Sequence, residues 1–255
     1  MSRSFTYYQD LLVALTNKEL KVRYQRSILG YLWSVANPLA MALIFFVAFK
    51  IIMRVEVENY TLFLIAGLFP WQWFSNSVNA SAMIFVSNAS LIKKINFSRE
   101  SLVIAVVLND LIHFILSVPV IVIFMIFYGI RPNPGWILYL PLLLLIQFVL
   151  TFGVAIAVAA INLFFRDLER IVGILTVLLF YATPILYPAD MVPAQYRALI
   201  MLNPAATLVL GWRSLFMNTP MDFSALGLAL VYSLVILAAG YAVFHRLKWR
   251  FAEVL

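Results

Sequence analysis

Two ionisable residues, Asp110 and His113, lie inside the long apolar stretches of this 255-residue chain, three positions apart. That spacing puts them on one face of a helix. An aspartate at the centre of a membrane helix costs about 2.5–3.5 kcal/mol on insertion scales, so its side chain must meet protein or water. The pair could act as a proton relay, or as a polar contact that hydrogen-bonds a neighbouring helix. Proton-coupled transporters generally spread more such residues over several helices. The sequence holds no HExxH metal pair, no GxSxG elbow and no carboxylate-rich loop with metal-ligand spacing. None of its nine glycines opens a GxxxxGK[ST] phosphate loop. If the protein moves anything with ATP, then ATP and magnesium sit on another polypeptide and this chain carries no cofactor. The absence of cysteine excludes disulfides and thiolate metal sites and leaves the redox compartment undetermined.

The elements that would position such residues are set by the charges. Residues 27–49, 59–92, 132–165, 171–189 and 223–244 contain no Asp, Glu, Lys or Arg, and 101–130 contains Asp110 alone. A bilayer core about 30 Å thick needs about 20 apolar residues of helix, so all six qualify as spans or near-spans. Only 11% of residues are charged, against about a quarter in soluble domains. The expectation is an all-α integral membrane protein with one transmembrane domain over 1–255. Its spans fall near 31–50, 61–85, 102–128, 136–161, 170–188 and 223–244. With both termini on one side, that side holds 13 of the 18 Lys and Arg residues, which makes it cytoplasmic. Residues 1–26 are polar and charged, unlike a cleavable signal peptide. The net charge of +7 flanks apolar spans, so anionic lipid headgroups suit it better than nucleic acid.

Within this frame, residues 4–29 read as an amphipathic interfacial helix. Phe5, Tyr8, Leu12 and Leu15 recur at helical spacing, Leu11 and Leu20 widen the stripe, and Lys18, Lys21, Arg23 and Arg26 follow. Trp33, Trp136, Trp212 and Trp249 fall at expected membrane interfaces, as an aromatic belt requires. Trp71 and Trp73 fall mid-span beside Pro70, so either the helix breaks there or that face packs against protein. The loop 88–100 is long enough for a short amphipathic helix. The turn at 163–170 packs four charges of both signs, which suggests local ion pairs. Residues 188–222 contain four prolines around two short apolar runs, 198–202 and 205–212, and read as short re-entrant or interfacial helices between spans five and six. No internal repeat is evident, which counts against an inverted-repeat secondary transporter.

Several motifs then carry a resemblance. The run Arg23-Tyr24-Gln25-Arg26-Ser27-Ile28-Leu29-Gly30-Tyr31-Leu32-Trp33, followed by Asn37-Pro38, resembles the entry to the first span of ABC-2 class polysaccharide-export permeases, the Wzm-like O-antigen exporters. GLFPWQWF at 67–74, NLFFRDLER at 162–170, Thr183-Pro184-Ile185-Leu186-Tyr187 and Asn203-Pro204 resemble later motifs of the same family, in the same order. The resemblance implies an inner-membrane half-transporter. Two permeases would form a conduit and two copies of a separate Wzt-like ATPase would drive it. The cargo would be a glycan on an undecaprenyl-pyrophosphate carrier. The family's path is bordered by the first and fifth spans, which points to Phe45, Phe46, Phe49, Phe180, Tyr181 and Tyr187. The anionic head of the carrier points to Arg23 and Arg26, which could equally touch phospholipid. Leu91, Ile92, Lys93, Lys94 and Phe97 form the expected coupling segment for the ATPase. Capsule and teichoic acid polymers remain alternative cargoes, and a polyprenyl-linked membrane enzyme or a secondary transporter the alternatives from other classes.

Overall fold

Helix forms wherever this sequence is apolar, because lipid offers no partner to a free backbone N–H or C=O and a helix satisfies both internally. The computed structural model describes residues 5–24 and 30–254, and no strand occurs among them. In chain order the helices are α1 (Phe5–Tyr24) and α2 (Trp33–Phe45), which widens without a break into a π-helix over Phe46–Ile52. Next come α3 (Tyr60–Ala82), the short α4 (Ile84–Ser87) and α5 (Ala89–Lys94), then α6 (Glu100–Phe127) and α7 (Trp136–Asn162). The remainder is α8 (Leu168–Ala182), α9 (Ala194–Met201), α10 (Pro204–Phe216), α11 (Phe223–Leu247) and α12 (Phe251–Val254).

Among the described residues, four segments are long and apolar enough to cross a membrane: Val35–Ile52, Glu100–Phe127, Trp136–Asn162 and Phe223–Arg250. The pair α9 and α10 qualifies jointly but bends by 94° at its break. There Asn203 caps α10 by accepting from the Ala205 N–H at 3.0 Å, and Pro204 takes the first helical position, where its missing N–H is no loss. The fifth apolar stretch yields an α8 of 15 residues, and the second yields α3, whose C-terminal half is rich in Ser and Asn.

That polar half explains where α3 sits. Its second half would be costly against lipid, and α3 lies instead at the centre, packed by α2, α6, α7, α8 and α10. Trp71 and Trp73 are buried, and the helix runs through Pro70 unbroken, so the face packs against protein. The Pro70 carbonyl accepts from Gln147 Nε2 at 2.7 Å, and the Trp73 indole donates to the Val107 carbonyl at 3.2 Å. An aromatic column continues outward from Trp73. It stacks on Phe114 at 5.5 Å, Phe114 meets Trp212 edge-on at 4.9 Å, and Trp212 stacks on Phe216 at 5.5 Å.

Trp212 therefore departs from the expected interfacial belt. It is fully buried and donates to Gln147 Oε1, because α10 folds back into the helix bundle rather than lying at its rim. Trp33 and Trp249 are exposed, as the belt requires.

The tightest crossing joins α7 and α11. A Cβ on Gly240 would fall 2.0 Å from the Gly153 carbonyl oxygen, and one on Gly153 would fall 2.7 Å from Leu237 Cα. Only glycine lets the two backbones touch here, the small-residue packing that membrane helices use in place of a hydrophobic drive. At the cytoplasmic-facing end in the sequence reading, α1 buries Leu15 and Leu20 against the bundle while Tyr8 stays exposed. The helix is thus seated on α6 as well as amphipathic.

Candidate functional site

Five of the six candidate path residues come from two helices that their own chain hardly covers, and Tyr187 follows the second. Only 6% of the Val35–Ile52 window is buried, and on α8 only Val172 and Thr176 are. Between these helices an aromatic group is assembled. Phe45 stacks on Phe180 with centroids 5.5 Å apart and planes 28° apart, and meets Phe49 edge-on at 6.4 Å. Phe180 meets Tyr181 edge-on at 5.2 Å, and the Tyr187 hydroxyl donates to the Tyr181 carbonyl at 2.8 Å. Phe46 points elsewhere, toward Tyr60 at 6.5 Å. Five of the six candidates thus form one group, and Phe46 belongs to its neighbour.

Trp71 extends this group, lying 5.9 Å from Phe180 and 5.5 Å from Phe74. Sequence reasoning singled out the tryptophan but gave it no role. The signal available was its position in the GLFPWQWF motif, which places it about one turn from the Arg213 contact at Gly67 on the same central helix.

The turn 183–187 that ends α8 is held from three sides. Asn203 Nδ2 donates to Thr183 Oγ1 at 3.0 Å, the Tyr60 hydroxyl to the Leu186 carbonyl at 3.0 Å, and Arg213 Nη2 to the Ile185 carbonyl at 3.2 Å. Thr183, Pro184, Ile185 and Leu186 are all buried. Arg213 falls in the 188–222 segment that the sequence marks as re-entrant or interfacial. Its place at the end of an apolar helical run was the clue to burial.

Asp110 is buried and accepts from the Ser77 hydroxyl on α3 at 3.0 Å. The polar contact between neighbouring helices, one of the two roles open to the Asp110–His113 pair, is therefore realised.

At the opposite end, α5 presents Lys93 and Lys94 to solvent with Ile95, while Leu91 and Ile92 are half-buried. Phe97 is turned inward and packs with Leu102, Val103 and Phe251, so it anchors the loop. The loop is tied at both ends. Lys18 Nζ on α1 donates to Asn88 Oδ1, while Arg99 donates to the Lys248 carbonyl and lies 5.4 Å over the Phe251 ring. Phe251 in turn is fully buried against Phe85, Phe244 and Phe164. The four charges of the 166–170 turn form no ion pair with one another among the described residues. Asn162 orders that connection instead, donating to the Ala82 carbonyl at 2.8 Å and accepting from the Glu169 N–H at 2.9 Å. Arg23 lies in the last turn of α1, and its side chain, like the whole of Arg26, lies outside the described residues.

A half-buried aromatic group beside two largely exposed apolar helices, and a loop that presents two lysines, fit the membrane-embedded part of a transporter. The chain belongs to the ABC-2 type transporter family, whose pattern it matches over residues 10–217. It is a multi-pass membrane protein, and membership implies an ABC ATPase partner. Over its full length it is 46% identical to the O-antigen export system permease protein RfbA of Klebsiella pneumoniae, of which it covers 98%. It is 35% identical to the RfbA permease of Myxococcus xanthus, over 98% of this chain and 97% of that one. The polysialic acid transport protein KpsM of Escherichia coli is more distant, at 25% identity over 96% of each chain. These relatives are named as permeases and transport proteins, not enzymes.

Proposed function

We propose that this chain is the permease of an ATP-driven exporter that moves O-antigen polysaccharide, linked to undecaprenyl pyrophosphate, across the bacterial inner membrane. Two copies form the conduit, with two ATPase subunits bound on the cytoplasmic side. The membrane is crossed six times, by α2, α3, α6, α7, α8 and α11, with both termini cytoplasmic. The short α9 and α10 re-enter from the outer side. The observation that carries this reading is the aromatic seam of Phe45, Phe49, Phe180 and Tyr181 between two helices left open by their own chain. A second copy facing that seam would close it into a path.

Aromatic faces suit a repeating glycan because they pack on the C–H faces of sugar rings without demanding one hydroxyl pattern. A polymer can then slide from ring to ring. Arg23 and Arg26, which precede the first span in sequence, are the candidates to meet a pyrophosphate head. Lys93 and Lys94 on α5, with the apolar Leu91 and Ile92, offer the ATPase its seat. The higher identity to the O-antigen permeases than to the polysialic acid protein favours O-antigen over capsule.

The test is Phe45→Ala with Phe180→Ala in cells lacking the chromosomal copy. Export of surface polysaccharide is expected to fall at least tenfold while the complex with the ATPase still assembles. Export at the wild-type level would reject the seam as the path.

A further inference from the structure

Arg213 is only 8% exposed and forms no ion pair among the described residues. Its guanidinium lies 3.5 Å over the Phe63 ring and donates one bond, to the Ile185 carbonyl at 3.2 Å. Its Nε is buried without a partner. Gly67 leaves the room for it, since a Cβ there would stand 3.1 Å from Nη2. A buried cation so sparsely compensated is costly unless something else completes its shell.

A cavity of about 380 Å³ adjoins it, bounded by α10, the start of α11, Phe63 and residues 188–190. That volume falls in the range of small-molecule sites, roughly 300–1,000 Å³. Six polar residues line it: Arg213, Asp190, Asp222, Thr207, Ser214 and Thr219, set among apolar walls. Two carboxylates and one guanidinium line it, and Asp222 also caps α11 by accepting from the Ser224 and Ala225 N–H groups at 2.9 and 3.1 Å, so the lining is net negative and opposes an anion. Donors and acceptors together, with apolar surface between them, fit a neutral ring bearing hydroxyls. Phe63 stacks on Tyr60 at 6.0 Å, and Tyr60 lies 6.5 Å from Phe46, the sequence neighbour of Phe45.

We propose that this cavity is a subsite for one neutral sugar unit of the polymer at the outer end of its path, with Arg213 as the fixed donor to its hydroxyls. The proposal rests on the polysaccharide-export reading above.

Because the chain has no cysteine, Ser214→Cys places a unique thiol on the cavity wall. Spheroplasts carrying this variant are treated with a membrane-impermeant maleimide from outside. Cells whose polymer is stalled by a hydrolysis-deficient ATPase partner are compared with cells that make no polymer. Labelling is expected to slow at least fivefold when polymer is stalled. Ile137→Cys, at the exposed start of α7, is expected to label equally in both. Equal rates for Ser214→Cys in both strains, or no labelling in either, overturn the proposal. Protection by millimolar inorganic phosphate in polymer-free cells overturns it too, because an anion would then be the preferred ligand. The underlying reading is checked separately in the same strains. If deleting the permease leaves surface polymer unchanged, that reading fails. If Ser214→Cys restores export but its thiol is not protected, only the subsite fails.

Discussion

Gln147 makes two hydrogen bonds that lipid could not replace. Its amide donates to the Pro70 carbonyl and accepts from the Trp212 indole, so one side chain joins α3, α7 and α10 at the centre of the bundle. Gln147→Leu keeps the volume and strands both partners. Each such bond between membrane helices is worth about 0.6–1.7 kcal/mol, and a stranded buried group adds to the loss. A total of roughly 1–3 kcal/mol is expected, read as a lower melting temperature of the purified permease. An unchanged melting temperature would show that water or a rearranged partner satisfies both atoms. This network could not be read from sequence. Gln147 sits in an otherwise apolar run, and nothing in its neighbours says which helices it will face. Asp110 was legible as a residue that must meet protein, because its insertion cost demands it. That Ser77 would be its donor was not, since the pairing depends on the rotation of α3 against α6.

At the scale of helices, one contact holds the bundle together and a second is the proposed seat of its drive. The first is the α7–α11 crossing. Gly240→Val puts its Cβ on the Gly153 carbonyl, so the backbones must part. Overpacking typically costs about 1–3 kcal/mol, and backbone against backbone has little room to relax. Membrane levels of the variant are expected to drop severely, whereas Gly173→Ala, which has open space at its Cβ position, leaves them unchanged. Equal levels of the two variants would contradict the crossing. The second contact is the exposed Lys93–Lys94 end of α5. Reversing both charges to Glu is expected to weaken copurification of the ATPase at least fivefold, on the order of 1 kcal/mol. An intact, fully coupled complex would sink the assignment of α5 as its seat. The helices themselves were largely legible, because charge-free stretches of this length admit little else. Their burial was not. The second stretch looked anomalous for its tryptophans and proline and proved to be the central helix, while Trp212 looked interfacial and proved to be core. The error over Trp212 has a plain cause: hydropathy reports whether a residue avoids water, not whether lipid or protein replaces the water.

For the molecule as a whole, the packing leaves an asymmetry that a single chain does not resolve. The central α3 is surrounded, yet α2 and α8 expose most of their length beside an ordered group of aromatic rings. The basic residues collect at the other extreme, where Lys18 and Arg99 tie the α5 loop to α1 and to the segment after α11. A shift of α5 would therefore be felt at both ends of the loop, which is the connection a separate motor needs. The first and fifth stretches are assigned to the path only through the family resemblance; periodicity alone gives their aromatic residues no preference over lipid-facing ones. The account's central claim is that polymer passes along the Phe45–Phe180 seam. It is tested most directly by a photoreactive phenylalanine analogue at position 180, irradiated in cells with stalled polymer. A high-molecular-weight adduct reactive with polysaccharide antibody is expected there and absent with the same analogue at Ile137. Adducts to lipid alone at position 180, with polymer stalled in the same complex, would contradict the account.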